Sequence, residues 1–402
     1  MNKNNLIDRS YHLFGNLLIL ILSLHPIDNH KIVFTCFKGN SYGDSPKYIT
    51  EELLSKNYPV NIVWLVQNSD KMRGQFPCQV HLVDYYSIRA IWELATAKIW
   101  IKNNMSLLDV GKRKKQIYIQ TWHGFGPKKD VIDTGGSNIK IYLKLRGLQA
   151  KLISSKIDYY LSMSDPQSEI FRNAPGHQYK GNILEIGTPR NDIFWNSDIE
   201  LTNKVYSKLN IDFKTKIMLY APTYRQHLTL GEYDLDFKSC LSELHNKFGG
   251  KWIVLIRMHP AVKDKYNISN QSSDMVIDVS DYPDMQELLY VSEVLVTDYS
   301  SSMFDFALTR RPCILYTNDI QTYESTDRSF HMSLDSLPFP QAINNDQMLD
   351  VIHNFNMVKY REDIELFIQK YVTKEEGIAS KFIVKIIKSI IIPDNSEKNG
   401  DC

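Results

Sequence analysis

QIYIQTWHGFGPKK, residues 116–129, is the stretch on which the reading of the fold turns. A strand-like apolar run, QIYIQ (116–120), gives way to Trp122-His123, and Gly124, Gly126 and Pro127 then force the backbone to turn sharply. In an open α/β sheet ligands sit at the carboxyl ends of the strands. His123 there, with Lys128 and Lys129 close behind, reads as a site for a phosphorylated substrate. The same residues also fit a turn whose histidine caps a strand and whose lysines are solvated.

Working outward, short apolar runs alternate with helix-length segments along nearly the whole chain. Strands are expected at 31–37, 60–66, 79–83, 98–102, 116–121, 157–162 and 183–187, with helical stretches such as PKYITEELLSK (46–56) and SIRAIWELATA (87–97) between them. The rhythm restarts after a polar helical segment, Asp198 to Asp212, with strands at 216–222, 251–260, 275–279, 293–299 and 312–316. This alternation predicts parallel sheets with right-handed crossovers, in two doubly wound, Rossmann-like α/β halves facing a central cleft. The expected division is a segment 1–28, domains 29–197 and 198–392 with a linker near 195–213, C-terminal helices at 346–357 and 361–390, and a polar tail 393–402.

A chain of 402 residues with 43% hydrophobic content can bury two cores. Its 47 basic and 46 acidic residues nearly cancel, which argues against a nucleic-acid partner. Cys36, Cys78, Cys240, Cys313 and Cys402 are scattered, with no CxxC pair, so neither a disulfide framework nor a zinc site is expected and a reducing compartment fits. Cys36 and Cys313 read as small core residues.

Leu13 to Leu24, LFGNLLILILSL, is strongly apolar yet falls short of the roughly 20 residues that span a bilayer. An interfacial, monotopic helix is expected ahead of a simple core helix. From Val110 to Lys156 eleven basic residues face only Asp130 and Asp133. Ile141, Leu145, Leu148 and Leu152 fall on one helical stripe and Lys140, Lys144 and Lys151 on another, although the stretch also alternates as a strand would. Such a run is suited to an anionic membrane surface or a polyphosphate acceptor.

Three strand ends in the second half carry polar groups. LYAPTYR (219–225) offers the Thr223 hydroxyl and Arg225, whose fork of donors suits phosphate, or a plain surface loop. LIRMHP (255–260) puts Arg257 and His259 on one side of the pleat before Pro260 stops the strand. VTDYSSSMFDFAL (296–308) ends a strand at Asp298, and Ser300, Ser301 and Ser302 lead into an apolar helical run, suited to capping or to binding a phosphate. No acidic cluster has metal-ligand spacing, and neither metal nor cofactor is expected.

Taken together, SYGDSPKYI (41–49), LATAKIWIKNN (94–104), QTWHGFGPKK, IGTPRND (186–192), YAPTYR, RMHP and VTDYSSSMFDFA resemble the CDP-glycerol:polyol-phosphate glycerophosphotransferase family, the teichoic acid primases and polymerases, from about Lys31 to Tyr371. The resemblance implies a GT-B fold with an N-terminal acceptor domain, a C-terminal CDP-polyol domain and peripheral attachment to the cytoplasmic face of the cell membrane. It implies His123 and His259 as catalytic residues. Thr223, Arg225, Arg257, Asp298 and Ser300 to Ser302 would serve the donor phosphates, and Trp122, Gly124, Lys128, Lys129 and Arg190 the acceptor side. A hydroxyl of a lipid-linked acceptor would attack the β-phosphorus of CDP-glycerol and CMP would leave. Where the family reads TWHGTPLKK, this chain has Phe125-Gly126-Pro127, which alters residues expected to shape the acceptor pocket. Transfer of ribitol phosphate from CDP-ribitol, a nucleotide-sugar glycosyltransferase of the same architecture, and a non-catalytic membrane scaffold are the competing readings.

Overall fold

The computed structural model describes residues 3–127, 129, 140–225, 233–259, 275–326 and 329–392, without the side chains of 3–9, 140–146 and 324–326. Lys128, Pro260 and the tail from 393 lie outside the described residues. The chain divides into two compact units. One comprises Met1–His123, Gly136–Trp195 and Thr373–Cys402; the other comprises Gly124–Gly135 and Asn196–Val372.

The first unit holds a seven-stranded sheet of β1 (Asp28–Thr35), β2 (Asn61–Val66), β3 (His81–Asp84), β4 (Ala97–Lys102), β5 (Ile117–Gln120), β6 (Tyr159–Ser162) and β7 (Asn182–Glu185), in the order β3-β2-β1-β4-β5-β6-β7. Every pairing is parallel. Parallel sheets are covered on both faces, so their strands are apolar throughout rather than alternating. Here Ile32, Phe34, Ile62, Trp64 and Val66 enter one core cluster, closed by Ile49 and Leu53 of the helix Asp44–Ser55 and by Ile383, Val384, Ile387 and Ile391 of the helix Ala379–Ile391. Val33, Val63 and Leu65 enter the other, closed by Ile19 of the helix Lys3–Leu22 and by Ala90, Ile91 and Leu94 of the helix Ile88–Thr96.

The second unit holds β8 (Thr215–Tyr220), β9 (Lys251–Ile256), β10 (Val276–Asp278), β11 (Val294–Thr297), β12 (Cys313–Tyr316) and β13 (Gln341–Ala342), parallel and in the order β10-β9-β8-β11-β12-β13. All twelve expected strands are present; β13, only two residues long, has no sequence signal. Cys36 and Cys313 are buried, as core residues should be.

Three expectations change. The N-terminal helix is neither purely interfacial nor purely core. Ile19 is fully buried and Asn16 Nδ2 donates to the Leu107 carbonyl at 2.8 Å, while Leu13, Phe14, Leu17, Leu20 and Ile21 are more than half exposed along the other side. The stretch from Lys140 is a helix, Lys140–Ser154, whose buried residues among the described side chains are Ala150, Ile153 and Ser154, while Leu148 and Leu152 of the expected apolar stripe are exposed. The single helix expected at 361–390 is two, Met357–Tyr371 and Ala379–Ile391, because Gly377 at φ +71° breaks it and the chain returns to the first unit between them.

Candidate active site

Each sheet reverses its strand order once, between β1 and β4 in the first unit and between β8 and β11 in the second. These switch points leave a crevice at the carboxyl ends of the strands. The described residues among those singled out by the sequence follow strands at those ends, each within its own unit.

In the first unit Phe37, Asn103 and His123 lie just beyond the ends of β1, β4 and β5. The His123 ring is exposed and its Nδ1 lies 2.8 Å from the Asn103 carbonyl oxygen. A carbonyl can only accept, so Nδ1 carries the hydrogen and the neutral ring has its lone pair at Nε2. The Phe37 and Trp122 rings stand 5.8 and 4.2 Å from it, and Trp122 in turn packs on His177 at 4.6 Å. Phe37, Lys38, Asp44 and Trp122 all have φ between +44° and +56°. For bulky side chains that region costs about 1–2 kcal/mol per residue. It persists where surrounding bonds fix the backbone, commonly at functional sites.

Those bonds come from buried polar groups. Asn103 is fully buried, and its Oδ1 accepts the Phe37 N–H at 2.8 Å while its Nδ2 donates to Asp44 Oδ2 at 2.7 Å. Arg190, read from the sequence as an acceptor-side group, is instead buried inside this unit with Nη1 donating to Asp44 Oδ1 at 3.2 Å. On the β5 side, Gln120 Oε1 accepts the Trp122 N–H at 3.0 Å, Gln120 Nε2 donates to Tyr118, and the Tyr118 hydroxyl donates to Asp109, the buried counter-ion of Lys102. Asp44 and Asn103 lie within SYGDSPKYI and LATAKIWIKNN, yet nothing local in either motif reveals that their side chains meet.

The chain enters the second unit at Gly124. The Phe125 ring is buried against Phe304 at 5.0 Å and Tyr371 at 6.3 Å, so the departure from the family's motif supplies an apolar anchor. Pro127 accepts the His331 N–H at 2.6 Å and the Lys129 N–H donates to the Ser329 carbonyl at 2.9 Å. Gly124 and Gly126 run directly over Ser301: a Cβ at Gly124 would lie 2.4 Å from Ser301 Oγ, and one at Gly126 would lie 3.0 Å from Ser301 Cα. The histidine–glycine turn and the serine turn, 177 residues apart in the chain, therefore meet within this unit through Gly124 and Ser301.

At the β8/β11 switch point both Asp298 carboxylate oxygens accept the Thr223 N–H, at 2.9 and 2.8 Å. Arg225, expected to serve the donor phosphates, has its side-chain donors on two carboxylates. It is only 2% exposed, and its fork closes on Asp319 at 2.6 and 3.0 Å while Nη1 reaches Asp298 at 2.8 Å. Tyr299 and Tyr323 flank the guanidinium at 4.9 and 5.0 Å. Burial opposes its charge, but Asp298 and Asp319 outweigh that and hold its pKa above the ordinary arginine value. Arg225 thus ties the loops after β8, β11 and β12 together. Asp319 was missed, although TND directly after an apolar strand is a signal of the same kind as VTD.

His259 is exposed at the end of β9, its ring 5.3 Å from Tyr224, whereas Arg257 donates to the Tyr282 carbonyl at 2.6 Å. Burial lowers the Arg257 pKa, with Asp284 partly offsetting it. The helix after the serines is short, Ser302–Ala307, and the Ser301 side chain caps nothing. Ser300 Oγ instead accepts the Ser302 N–H at 3.3 Å. The serine turn is therefore not explained by capping through Ser301, and a six-residue helix contributes little dipole. Among the described residues no group of His, Cys, Asp and Glu could hold a metal ion.

A family model described as CDP-glycerol:poly(glycerophosphate) glycerophosphotransferase matches residues 17–389. The chain is 32% identical to a teichoic acid poly(glycerol phosphate) polymerase of Staphylococcus epidermidis, over 89% of this chain and 50% of that protein. It is 30% identical to one of Bacillus spizizenii, over 96% of this chain and 98% of that protein. It thus spans half the length of the first and nearly all of the second. The solved wall teichoic acid polymerase TagF superposes with a TM-score of 0.79 at 29% identity, over 99% of this chain and 100% of that one, and has the same two-sheet GT-B class of fold. A histidine-to-asparagine variant of that polymerase has been solved after a soak with CDPG.

Proposed function

The chain belongs to the CDP-glycerol:poly(glycerophosphate) glycerophosphotransferase family, and from that premise we propose that it moves glycerol phosphate from CDP-glycerol to a hydroxyl of a lipid-linked teichoic-acid or capsular acceptor. The observation that carries this reading is the 2.8 Å contact between His123 Nδ1 and the Asn103 carbonyl: a carbonyl only accepts, so the hydrogen is assigned to Nδ1 and the neutral ring offers Nε2 as a base. Nε2 takes the acceptor hydroxyl proton as the oxygen bonds to the β-phosphorus. The bond from that phosphorus to the bridging oxygen breaks, and CMP leaves with the electron pair. His259 and the Ser300–Ser302 turn serve the donor pyrophosphate, and Arg225, with Thr223 and Asp298, shapes the loops that receive it.

The acceptor is a lipid, and the helix Lys3–Leu22 suits it to a membrane surface. Leu13, Phe14, Leu17, Leu20 and Ile21 form an exposed stripe at helical spacing, continued by Leu24, and Lys114, Lys115 and Lys151 are exposed in the same unit. Among the described residues no helix is long and apolar enough to cross a membrane; the peripheral attachment proposed here rests on the exposed stripe and those lysines.

The test is turnover with CDP-glycerol and with CDP-ribitol in parallel, on a lipid-linked acceptor, for the wild type and His123→Ala. CMP release and acceptor extension with CDP-glycerol are expected, and His123→Ala should lose about 10²–10⁴-fold in rate while still binding the donor. A preference for CDP-ribitol, or full turnover by the variant, would overturn the corresponding part of the reading, as would release of a nucleoside diphosphate in a third reaction supplied with a nucleotide-sugar.

A further inference from the structure

We propose that Asp44 and Asn103 are positioning residues that hold the His123 imidazole in the orientation and tautomer of a general base. The inference deepens the function proposed above and rests on His123 being that base.

A histidine alone has two neutral tautomers, and only the one with hydrogen on Nδ1 presents Nε2 as an acceptor. The Asn103 carbonyl selects it, at 2.8 Å. That carbonyl sits at the end of β4, in irregular backbone that the sheet does not fix. Its position is set by the side chain of the same residue. Oδ1 faces a backbone N–H, from Phe37, and Nδ2 faces a carboxylate, Asp44, so the amide has one orientation that satisfies both. Asp44 is fixed in turn, its Oδ1 accepting from Arg190 Nη1 and from the Ser45 N–H at 2.6 Å.

A polar group needed only for stability has no reason to accumulate backbone strain around it. Here Phe37 and Asp44, bonded to Asn103, and Trp122, next to His123, are in the left-handed region at φ +44°, +53° and +55°. An ion pair, an amide and strained backbone from three loops converge on one exposed imidazole. Orienting that ring is the function this convergence serves.

The decisive variants are Asp44→Asn and Asp44→Asn/Arg190→Gln in the full chain. The double variant guards against misfolding, because the single change removes the carboxylate charge that faces the buried Arg190. Two quantities are read: kcat and KM for CDP-glycerol, and the His123 tautomer from ¹⁵N–¹H correlation of histidine-labelled protein, assigned by its loss in His123→Ala. In the wild type the His123 signal is expected to be that of the Nδ1–H form. In the variants an Nε2–H signal is expected to appear, with kcat down by up to about 100-fold and KM changed by less than about twofold. A folded double variant that keeps both the Nδ1–H signal and wild-type kcat overturns the inference and leaves the base reading standing. Full turnover by His123→Ala removes the base reading itself.

Discussion

Gly124 shows how tightly single residues constrain this site. Its φ is +155° and its missing Cβ is the space that Ser301 Oγ occupies. Gly124→Ala forces the serine turn to move. Overpacking of this kind costs about 1–3 kcal/mol, and a lowered melting temperature is expected, with partial recovery in Gly124→Ala/Ser301→Gly. An unchanged melting temperature in the single variant would mean that the turn yields freely and that the clearance is incidental. His123 and Gly124 were legible because both stand in one short motif at a strand end. Asp44, Asn103 and Asp319 were not legible as partners, since each meets its counterpart from a different strand and no local spacing encodes the meeting.

At the scale of elements the strands were readable because a parallel sheet buries both faces and each strand is therefore an apolar run. The break before the last helix was not, because apolar residues continue at helical spacing on both sides of it. The connection that makes the break contains Glu375, fully enclosed, whose carboxylate accepts from the Thr188 N–H at 3.1 Å, from the Thr188 hydroxyl and from Asn191 Nδ2 at 2.9 Å. Burial raises its pKa to about 7 against the hydrogen bonds from Thr188 and Asn191, which lower it. The folded state therefore binds the proton more tightly than the unfolded chain. Stability from this group is complete below the unfolded pKa and is lost as pH rises through about 7. The loss is about 3 kcal/mol. Glu375→Gln does not ionise, so its urea midpoint relative to the wild type is expected to rise between pH 5 and pH 8. A difference independent of pH would show that the carboxyl does not titrate in this window.

For the whole molecule, the sequence carried the two-sheet architecture but not the route of the chain through it. The two-faced N-terminal helix decides how membrane attachment should be tested. Removing it would delete Ile19 from the core along with the exposed leucines, so Leu17→Glu/Leu20→Glu is the discriminating change, at positions 59% and 65% exposed. The wild type is expected to float with anionic vesicles at low salt and to be partly released at high salt, because screening weakens attraction of the exposed lysines but leaves apolar burial intact. The variant should stay unbound while melting at the wild-type temperature. Flotation by the variant equal to the wild type would place the membrane contact on another surface.

The return of the helix Ala379–Ile391 to the first unit also bears on how the protein is made. Its isoleucines complete a core begun by Ile32 and Phe34, but the ribosome adds Ile383 about 200 residues after β7, the last strand of that sheet. At about 5–20 residues per second that is a delay of roughly 10–40 s. Throughout it the part of one sheet face not covered by the helix Asp44–Ser55 is open, each of the missing large side chains withholding about 1.5–3 kcal/mol of burial. The second unit's sheet, β8 to β13, is synthesised entirely within that interval. The half of the protein that emerges first is therefore the half that finishes folding last, and during synthesis its exposed apolar face is the surface a chaperone would have to shield.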